Sequence, residues 1–272
     1  MNIILTDNIM EKGKSISLIK EYLLKNKNEE FIFFNIDKGY FNIKDKIIYE
    51  GLNSINLKDI TSVLPRVDKY NSKFKNLISF IELNSNAKIF NKGIEITNNK
   101  LLSSIYVSNY NISTIPTEII SLSNIDKFTS FPCILKTTDG YSGDEVFKIN
   151  NYDELFIKTT EFSSKELIVQ PFRKTGFIDY RVIVCKGKVI LSYKRTAKEN
   201  DFRANSSKGG LMEEFIIDKA FESQSKRIAK ILKMDFVGLD FIEHNGVYEF
   251  CEANNSFFLY DLNIVEKIIS SI

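Results

Sequence analysis

Phe236-Val237-Gly238-Leu239-Asp240-Phe241-Ile242-Glu243-His244-Asn245-Gly246-Val247-Tyr248-Glu249-Phe250-Cys251-Glu252-Ala253-Asn254 is the stretch on which the fold turns. Apolar runs at 236–242 and 247–252 flank a polar turn and predict an antiparallel hairpin. Three oxygen-bearing side chains carry its chemistry: Asp240, Glu252 and Asn254. Asp240 stands inside a run that would ordinarily be buried, where a charge must be paired, metal-bound or protonated. Glu252 and Asn254 share a strand face because side chains alternate. Whether Asp240 joins them depends on the turn. A two-residue Asn245-Gly246 loop sets Asp240 opposite Cys251 and sends Glu252 to the other face. A three-residue loop with Gly246 left-handed pairs Asp240 with Phe250, making Glu252 a diagonal neighbour at about 7–8 Å. The plain alternative is an edge strand with its carboxylates in water.

Outward from this hairpin the chain divides into three. In residues 1–95, strand signals (Asn2–Thr6, Phe31–Ile36) alternate with helical stripes, Ile16, Ile19 and Leu23, then Phe74, Leu77, Ile78 and Ile81. That alternation predicts a small parallel-sheet domain. Residues 96–165 read as a small α+β unit: Thr97 as N-cap, a helix with Leu101, Leu102, Ile105 and Tyr106 on its core face, strands near 131–136 and 145–149, and a helix carrying Tyr152, Leu155 and Phe156. In residues 166–272 strands dominate, at 166–170, 180–185, 188–194 and the hairpin, with a helix capped by Asp218. The fold class is α+β, with an antiparallel C-terminal sheet.

The chain has 272 residues, 43% hydrophobic and 26% charged, with a net charge of +2, so binding of a polyanion through bulk charge is excluded. A single histidine, His244, excludes multi-histidine metal sites and leaves one candidate base; in its turn it reads as an exposed residue. Cys133, Cys185 and Cys251 sit in strand-like runs without a C-x-x-C pair and read as reduced core thiols. No apolar run is long enough to span a membrane and no leader is evident, so a cytoplasmic protein without membrane or nucleic-acid partners is expected. Arginine is scarce: six residues, of which Arg173, Arg181, Arg195 and Arg203 cluster within 173–203. The cluster has two readings, chance and a use for the planar two-pronged guanidinium.

Three further constellations could carry chemistry. Lys136-Thr137-Thr138-Asp139-Gly140-Tyr141-Ser142-Gly143-Asp144 is a glycine-bearing loop between strands, able to cradle phosphate oxygens, although it is not a P-loop. Lys100 lies in the first turn of a helix, where the macrodipole disfavours a cation. The run from Arg195 to Gly210 is a long polar segment suited to ordering over an anionic substrate. Each has a bland alternative: a hairpin loop, a surface lysine, a solvated basic loop.

Taken together and in this order, these residues resemble the ATP-grasp fold, specifically its RimK-like glutamate ligase branch. The segment Arg195–Asn205, R-x-A-K-E-x-D-F-R-x-N, followed by Gly209-Gly210, carries the resemblance furthest. Lys136, Val169-Gln170, Asp179-x-Arg181, Gly238-x-Asp240 and Glu252-x-Asn254 fall in the same order over about residues 60–256. The resemblance implies an ATP-grasp architecture with a small N-terminal domain, a central lid and a C-terminal sheet. It implies a carboxylate–amine ligase that passes the ATP γ-phosphoryl to a carboxylate, after which an amine such as an amino acid displaces phosphate. It assigns Lys100 and Lys136 to the α/β-phosphates, and the Gly140–Gly143 loop to closure over them. Gln170, Pro171 and Phe172 become the adenine hinge and Asp179 a neighbour of the nucleoside. Arg203, Ala204 and Asn205 reach the transferring phosphoryl. Asp240, Glu252 and Asn254 hold two Mg²⁺ ions, with Mn²⁺ as the substitute, and Arg181 and Arg195 are set against the substrate carboxylate. Pro171 replaces an acidic hinge residue common in the branch, which shifts adenine contact to the main chain. Asn255-Ser256-Phe257-Phe258 replaces a common Ser-Pro-Gly, which leaves the added amino acid open. The rivals are a phosphoryl transferase on the same fold and a non-catalytic nucleotide- or peptide-binding module. Related ligases are often homo-oligomers; the sequence fixes no symmetry.

Overall fold

The structure is a computed structural model that describes residues 1–68, 70–140, 145–174, 178–198 and 211–272. The first unit is a parallel sheet ordered β2-β1-β6-β7: β1 (Asn2–Thr6), β2 (Phe31–Asn35), β6 (Ser62–Pro65) and β7 (Lys88–Ile89). A small antiparallel sheet, β3 (Gly39–Asn42), β4 (Ile47–Glu50) and β5 (Asn53–Asn56), is inserted between β2 and β6. Helices α1 (Asn8–Glu11), α2 (Lys14–Lys25) and α3 (Ser72–Asn84) belong to this unit. The expected stripe of α2 buries as read, Ile16, Ile19 and Leu23; in α3 Phe74, Leu77 and Ile81 are buried, Ile78 is half-buried and Phe80 joins the core. They pack on opposite faces of the sheet, as apolar stripes must when a parallel sheet is covered on both sides.

Short α4 (Ile94–Thr97) leads into α5 (Lys100–Ser108). Thr97 ends α4; the cap of α5 is Asn99, whose side chain accepts from Leu102 N at 2.8 Å. The buried face of α5 is Ser103, Ser104 and Val107, while Ile105 and Tyr106 face outward. The expected apolar face is therefore rotated, because two small serines let the helix lie close on the C-terminal sheet. The second sheet, β10-β9-β11-β8, is built from β8 (Glu118–Ile120), β9 (Cys133–Thr137), β10 (Val146–Ile149) and β11 (Leu167–Pro171). It packs on α6 (Tyr152–Glu161) through Leu155, with Tyr152 and Phe156 exposed. Strand β11 completes this sheet by pairing with both β9 and β8, although in the sequence it follows residue 165 with the C-terminal strands.

The third sheet, β14-β13-β12-β15-β16, is antiparallel throughout: β12 (Ile178–Cys185), β13 (Lys188–Thr196), β14 (Leu211–Glu214), β15 (Phe236–His244) and β16 (Val247–Asn254). Helix α7 (Lys219–Ile231), capped by Asp218 as expected, and α5 cover one face through Val182, Val184, Val237 and Leu239. The opposite face, with Ile183, Cys185 and Phe236, packs beneath the first sheet together with α2 and α8 (Leu262–Ile269). Alternation along β12 and β15 then places Arg181 and Asp240 on this second face, just beyond the covered apolar residues. No helix among the described residues is long and apolar enough to cross a membrane.

Candidate active site

Asp240 and Glu252 stand directly opposite each other. Neither turn weighed in the sequence produces this by itself. The loop is the two-residue one, with Asn245 at φ 53° and Gly246 at φ 79°, both left-handed as a type I′ turn requires. A register shift between Asp240 and Phe241 then inserts one extra residue, Cys251, in β16. The bulge restores Glu252 to the face of Asp240, with Asn254 next along opposite Gly238. Strand β16 is not a bare edge: Phe250 bonds residues 113 and 115 on its outer side.

Asp240 is 4% exposed and held by four nitrogens from three side chains. Arg181 Nε donates to Oδ1 at 2.7 Å and Arg181 Nη2 to Oδ2 at 2.6 Å, a two-pronged pair. Arg195 Nη2 lies 3.1 Å from Oδ2, and Asn254 Nδ2 donates to the same oxygen at 3.3 Å. Arg195 also grips Asp179, Nε to Oδ1 at 2.5 Å and Nη2 to Oδ2 at 2.8 Å. Two carboxylates and two guanidinium groups thus neutralise one another in a buried block. Burial alone would raise the Asp240 pKa, but Arg181 and Arg195 outweigh it and hold it at about 2. Asp179, with Arg195 as its main attraction and Asp240 repelling it, is pushed up by burial to about 6. The sequence sets Arg181 and Arg195 against a substrate carboxylate and Asp179 beside a nucleoside; in the structure Arg181 pairs with Asp240, and Arg195 with both Asp179 and Asp240.

A second set of charges has fewer partners. Lys136, on β9, is 7% exposed and places Nζ 3.5 Å from Cys251 Sγ, whose thiol burial pushes up to about 11. Lys100 opens α5; its N–H donates to Thr138 O at 2.9 Å and its Nζ donates to Gly140 O, tying the helix to the loop after β9. Burial lowers the Lys100 pKa, Glu252 opposing the fall and Lys136 adding to it. Two ammonium groups and the Glu252 carboxylate therefore share one neighbourhood. Among the described residues Glu252 accepts no hydrogen bond. Asn254 points its NH₂ at Asp240, which turns its carbonyl oxygen away from that block. Among the described residues Asp240 Oδ1 takes a single donor and retains a lone pair. The donor set, two carboxylates and an amide oxygen, suits a hard divalent cation that completes its shell with water and phosphate oxygens. No cluster of three acidic, histidine or cysteine side chains exists among the described residues.

The loop after β9 is clamped at its base, where Thr137 Oγ1 donates to Glu145 Oε2 at 2.5 Å and Lys165 pairs with Glu145. Gly140 fits closely there: a Cβ would sit 2.4 Å from Thr137 Oγ1 and 2.9 Å from Glu145 Oε2, so those side chains would have to shift. At the expected hinge, Gln170 Nε2 donates to Thr117 Oγ1 at 2.9 Å and Phe172 N to Pro132 O at 3.2 Å, while Pro171 has no N–H. Lys148 Nζ lies over the Phe172 ring at 4.4 Å. Gly143, Arg203, Ala204 and Asn205 lie outside the described residues. The sequence also leaves Arg173 unassigned and His244 exposed. Arg173 forks onto Glu249 at 2.9 Å and reaches His244 Nε2 at 3.1 Å, bracing the exit of β11 on the hairpin. No spacing signals such a pairing, because its members come from different sheets.

The architecture, an antiparallel sheet carrying Asp240 and Glu252 beside a smaller sheet carrying Lys136, is that of an ATP-grasp fold. The ligase PsnB in complex with a minimal precursor superposes with TM-score 0.73 over 99% of both chains at 16% identity. D-alanyl-alanine synthetase A from Vibrio cholerae superposes at 0.72 over all of this chain and 93% of its own, at 15% identity. Residues 95–272 match the RimK-like ATP-grasp domain, and the chain belongs to that family. Among its relatives, the Mycoplasma pneumoniae protein called MG011 homolog is 33% identical over 54% of this chain and 50% of its own. A probable alpha-L-glutamate ligase of Rhodopirellula baltica is 26% identical over 74% of this chain and 52% of its own. The chain spans about half the length of these curated relatives.

Proposed function

We propose that this chain is an ATP-dependent carboxylate–amine ligase that forms an amide through an acylphosphate and releases ADP. The observation that carries the reading is the convergence of Lys100 and Lys136 on Glu252, beside Asn254 and the fixed Asp240. Lys100 and Lys136 hold the α/β-phosphates, relieving their mutual repulsion. Glu252, Asn254 and Asp240 Oδ1 would hold Mg²⁺, which would supply charge neutralisation for the phosphates. Arg181 and Arg195 are positioning residues that fix the Asp240 carboxylate. A substrate carboxylate oxygen attacks the γ-phosphorus as the bond to the β–γ bridging oxygen breaks; an amine then attacks the acyl carbon, phosphate leaves and the amine nitrogen loses a proton. Transfer of this kind depends on position and charge, so no histidine base is needed. By resemblance Arg203, Ala204 and Asn205 face the transferring phosphoryl, Gly140–Gly143 close over it, and Gln170–Phe172 border the adenine. The division at 1–95, 96–165 and 166–272 corresponds in this reading to an N-terminal pre-ATP-grasp domain, a central lid and a C-terminal metal-bearing part.

The family, the fold and the relatives named as glutamate ligases support this reading over a bare nucleotide-binding module. The test is release of ADP and phosphate from Mg·ATP with a panel of carboxylates and amines, in the parent and in Glu252→Gln. The expected result is turnover that needs both co-substrates and falls at least a hundredfold in the variant. Equal turnover in both proteins would sink the metal assignment.

A further inference from the structure

Among the described residues, Arg66 is a buried guanidinium without a counter-ion. It is 2% exposed, and Nη2 donates to Phe257 O at 2.8 Å, but Nε and Nη1 have no partner among those residues. The Phe257 ring centre lies 5.2 Å from its Cζ. The other described arginines differ: Arg173, Arg181 and Arg195 fork onto carboxylates, and exposed Arg227 donates to Tyr110 O. Burial lowers the Arg66 pKa to about 10, so the group keeps its charge at neutral pH. A buried cation with three N–H bonds unmade costs several kcal/mol.

Its place in the fold points to a ligand. Arg66 follows β6, and its N–H donates to Leu5 O at 2.8 Å, at the carboxyl ends of β1 and β6. The strand order reverses there, since β2 and β6 flank β1 on opposite sides; ligands of open parallel sheets enter at such a crevice. The chain leaving β16 directly after Asn254 lies across it. Ser256 Oγ and Asn255 Nδ2 donate to Val67 O at 2.9 and 3.3 Å. A Cβ on Gly238 would meet Phe257 Cβ at 2.9 Å and Arg181 Cδ at 3.8 Å. One aromatic side chain therefore separates Arg66 from the Arg181–Asp240 pair.

Resting on the ligase reading, we infer that Arg66 binds the spectator carboxylate of an amino-acid substrate, the one not activated, in the crevice between β1 and β6. The reacting carboxylate must meet the phosphoryl group near Lys100, Lys136 and Glu252, so the anion held behind Phe257 is a second one. A planar monoanion matches the fork. A dianion is disfavoured by Asp7, 6% exposed at the same strand ends, whose Oδ2 accepts from Asp68 N. Because the free N–H groups are sealed, entry requires residues 255–257 to shift, which couples occupation of Arg66 to Asn254.

The test measures calorimetric binding of the standard amino acids, each against its C-terminal amide, to the full chain, Arg66→Lys and Arg66→Met, with Mg·ATP binding as a parallel arm. At least one amino acid is expected to bind the parent at least tenfold more tightly than its amide. Arg66→Lys should lose most of that preference and Arg66→Met all of it, with Mg·ATP affinity within twofold throughout. Equal binding of acid and amide by the parent, or an undiminished preference in Arg66→Lys, would overturn the assignment even if Arg66→Met fails to fold. A parent that does not bind Mg·ATP would instead defeat the ligase reading, whatever the amino-acid arm shows.

Discussion

Two sets of charges share one end of the third sheet, and their difference explains the site. Asp179, Arg181, Arg195 and Asp240 are closed upon one another, each guanidinium forked onto a carboxylate. Lys100, Lys136 and Glu252 are gathered without closing: two like charges face a carboxylate that accepts no hydrogen bond among the described residues. A closed block resists reorganisation and can hold one carboxylate at a fixed angle. An open set carries the cost of unpaired charge until an anion arrives. In the proposed ligase reading the first set holds Asp240 in place and the second is left to receive the phosphates.

The comparison breaks most sharply at Asp240. Asp240→Asn leaves two buried guanidinium groups short of one negative charge and should lower unfolding free energy by about 3–5 kcal/mol. Denaturant unfolding checks it, and a loss below about 1 kcal/mol would mean the block is wetter than its geometry. Lys136→Met should act oppositely: Mg·ATP affinity falls at least about tenfold, roughly 1.4 kcal/mol, while unfolding stability is unchanged or higher. Titration calorimetry and a melt on the same sample separate the two. Glu252→Gln should weaken Mg²⁺ dependence while moving stability by no more than about 0.5 kcal/mol, since no partner is lost.

Two pH effects sharpen the contrast. Asp179 binds its proton more tightly folded than unfolded, so its contribution to stability is present below the ordinary aspartate range and is lost as pH rises to about 6. Asp179→Asn should remove that fall, measured as unfolding free energy between about pH 4 and 6. Lys100 has the reverse linkage, its folded pKa being lowered by burial. Between that value and about 10.4 the unfolded chain binds more protons, so stability rises with pH in the parent and not in Lys100→Met.

Much of this was legible beforehand because the signals are local. The cap Asp218, the stripes of α2 and α3, and the positions of β12, β13, β15 and β16 follow from periodicity and turn residues within a few positions. The rotation of α5 was not, because Ser103 and Ser104 carry no apolar signal and gain burial only from a close neighbour. Nor was the pairing of Glu252 with Asp240, which depends on a bulge at Cys251 that no residue type announces. Arg66 reads as an ordinary basic residue; only the segment 255–257 laid across it makes it a buried cation.

The sequence by itself determined which residue types were available and in what order: the lysines, the Asp240, Glu252 and Asn254 set, and the arginines that resemble a ligase family. Tertiary structure decided which of those charges are spent on each other and which remain for a ligand. The physical reason is that pairing depends on distance and burial across strands β12, β13 and β15 and between sheets. A linear pattern of residue types does not carry that information.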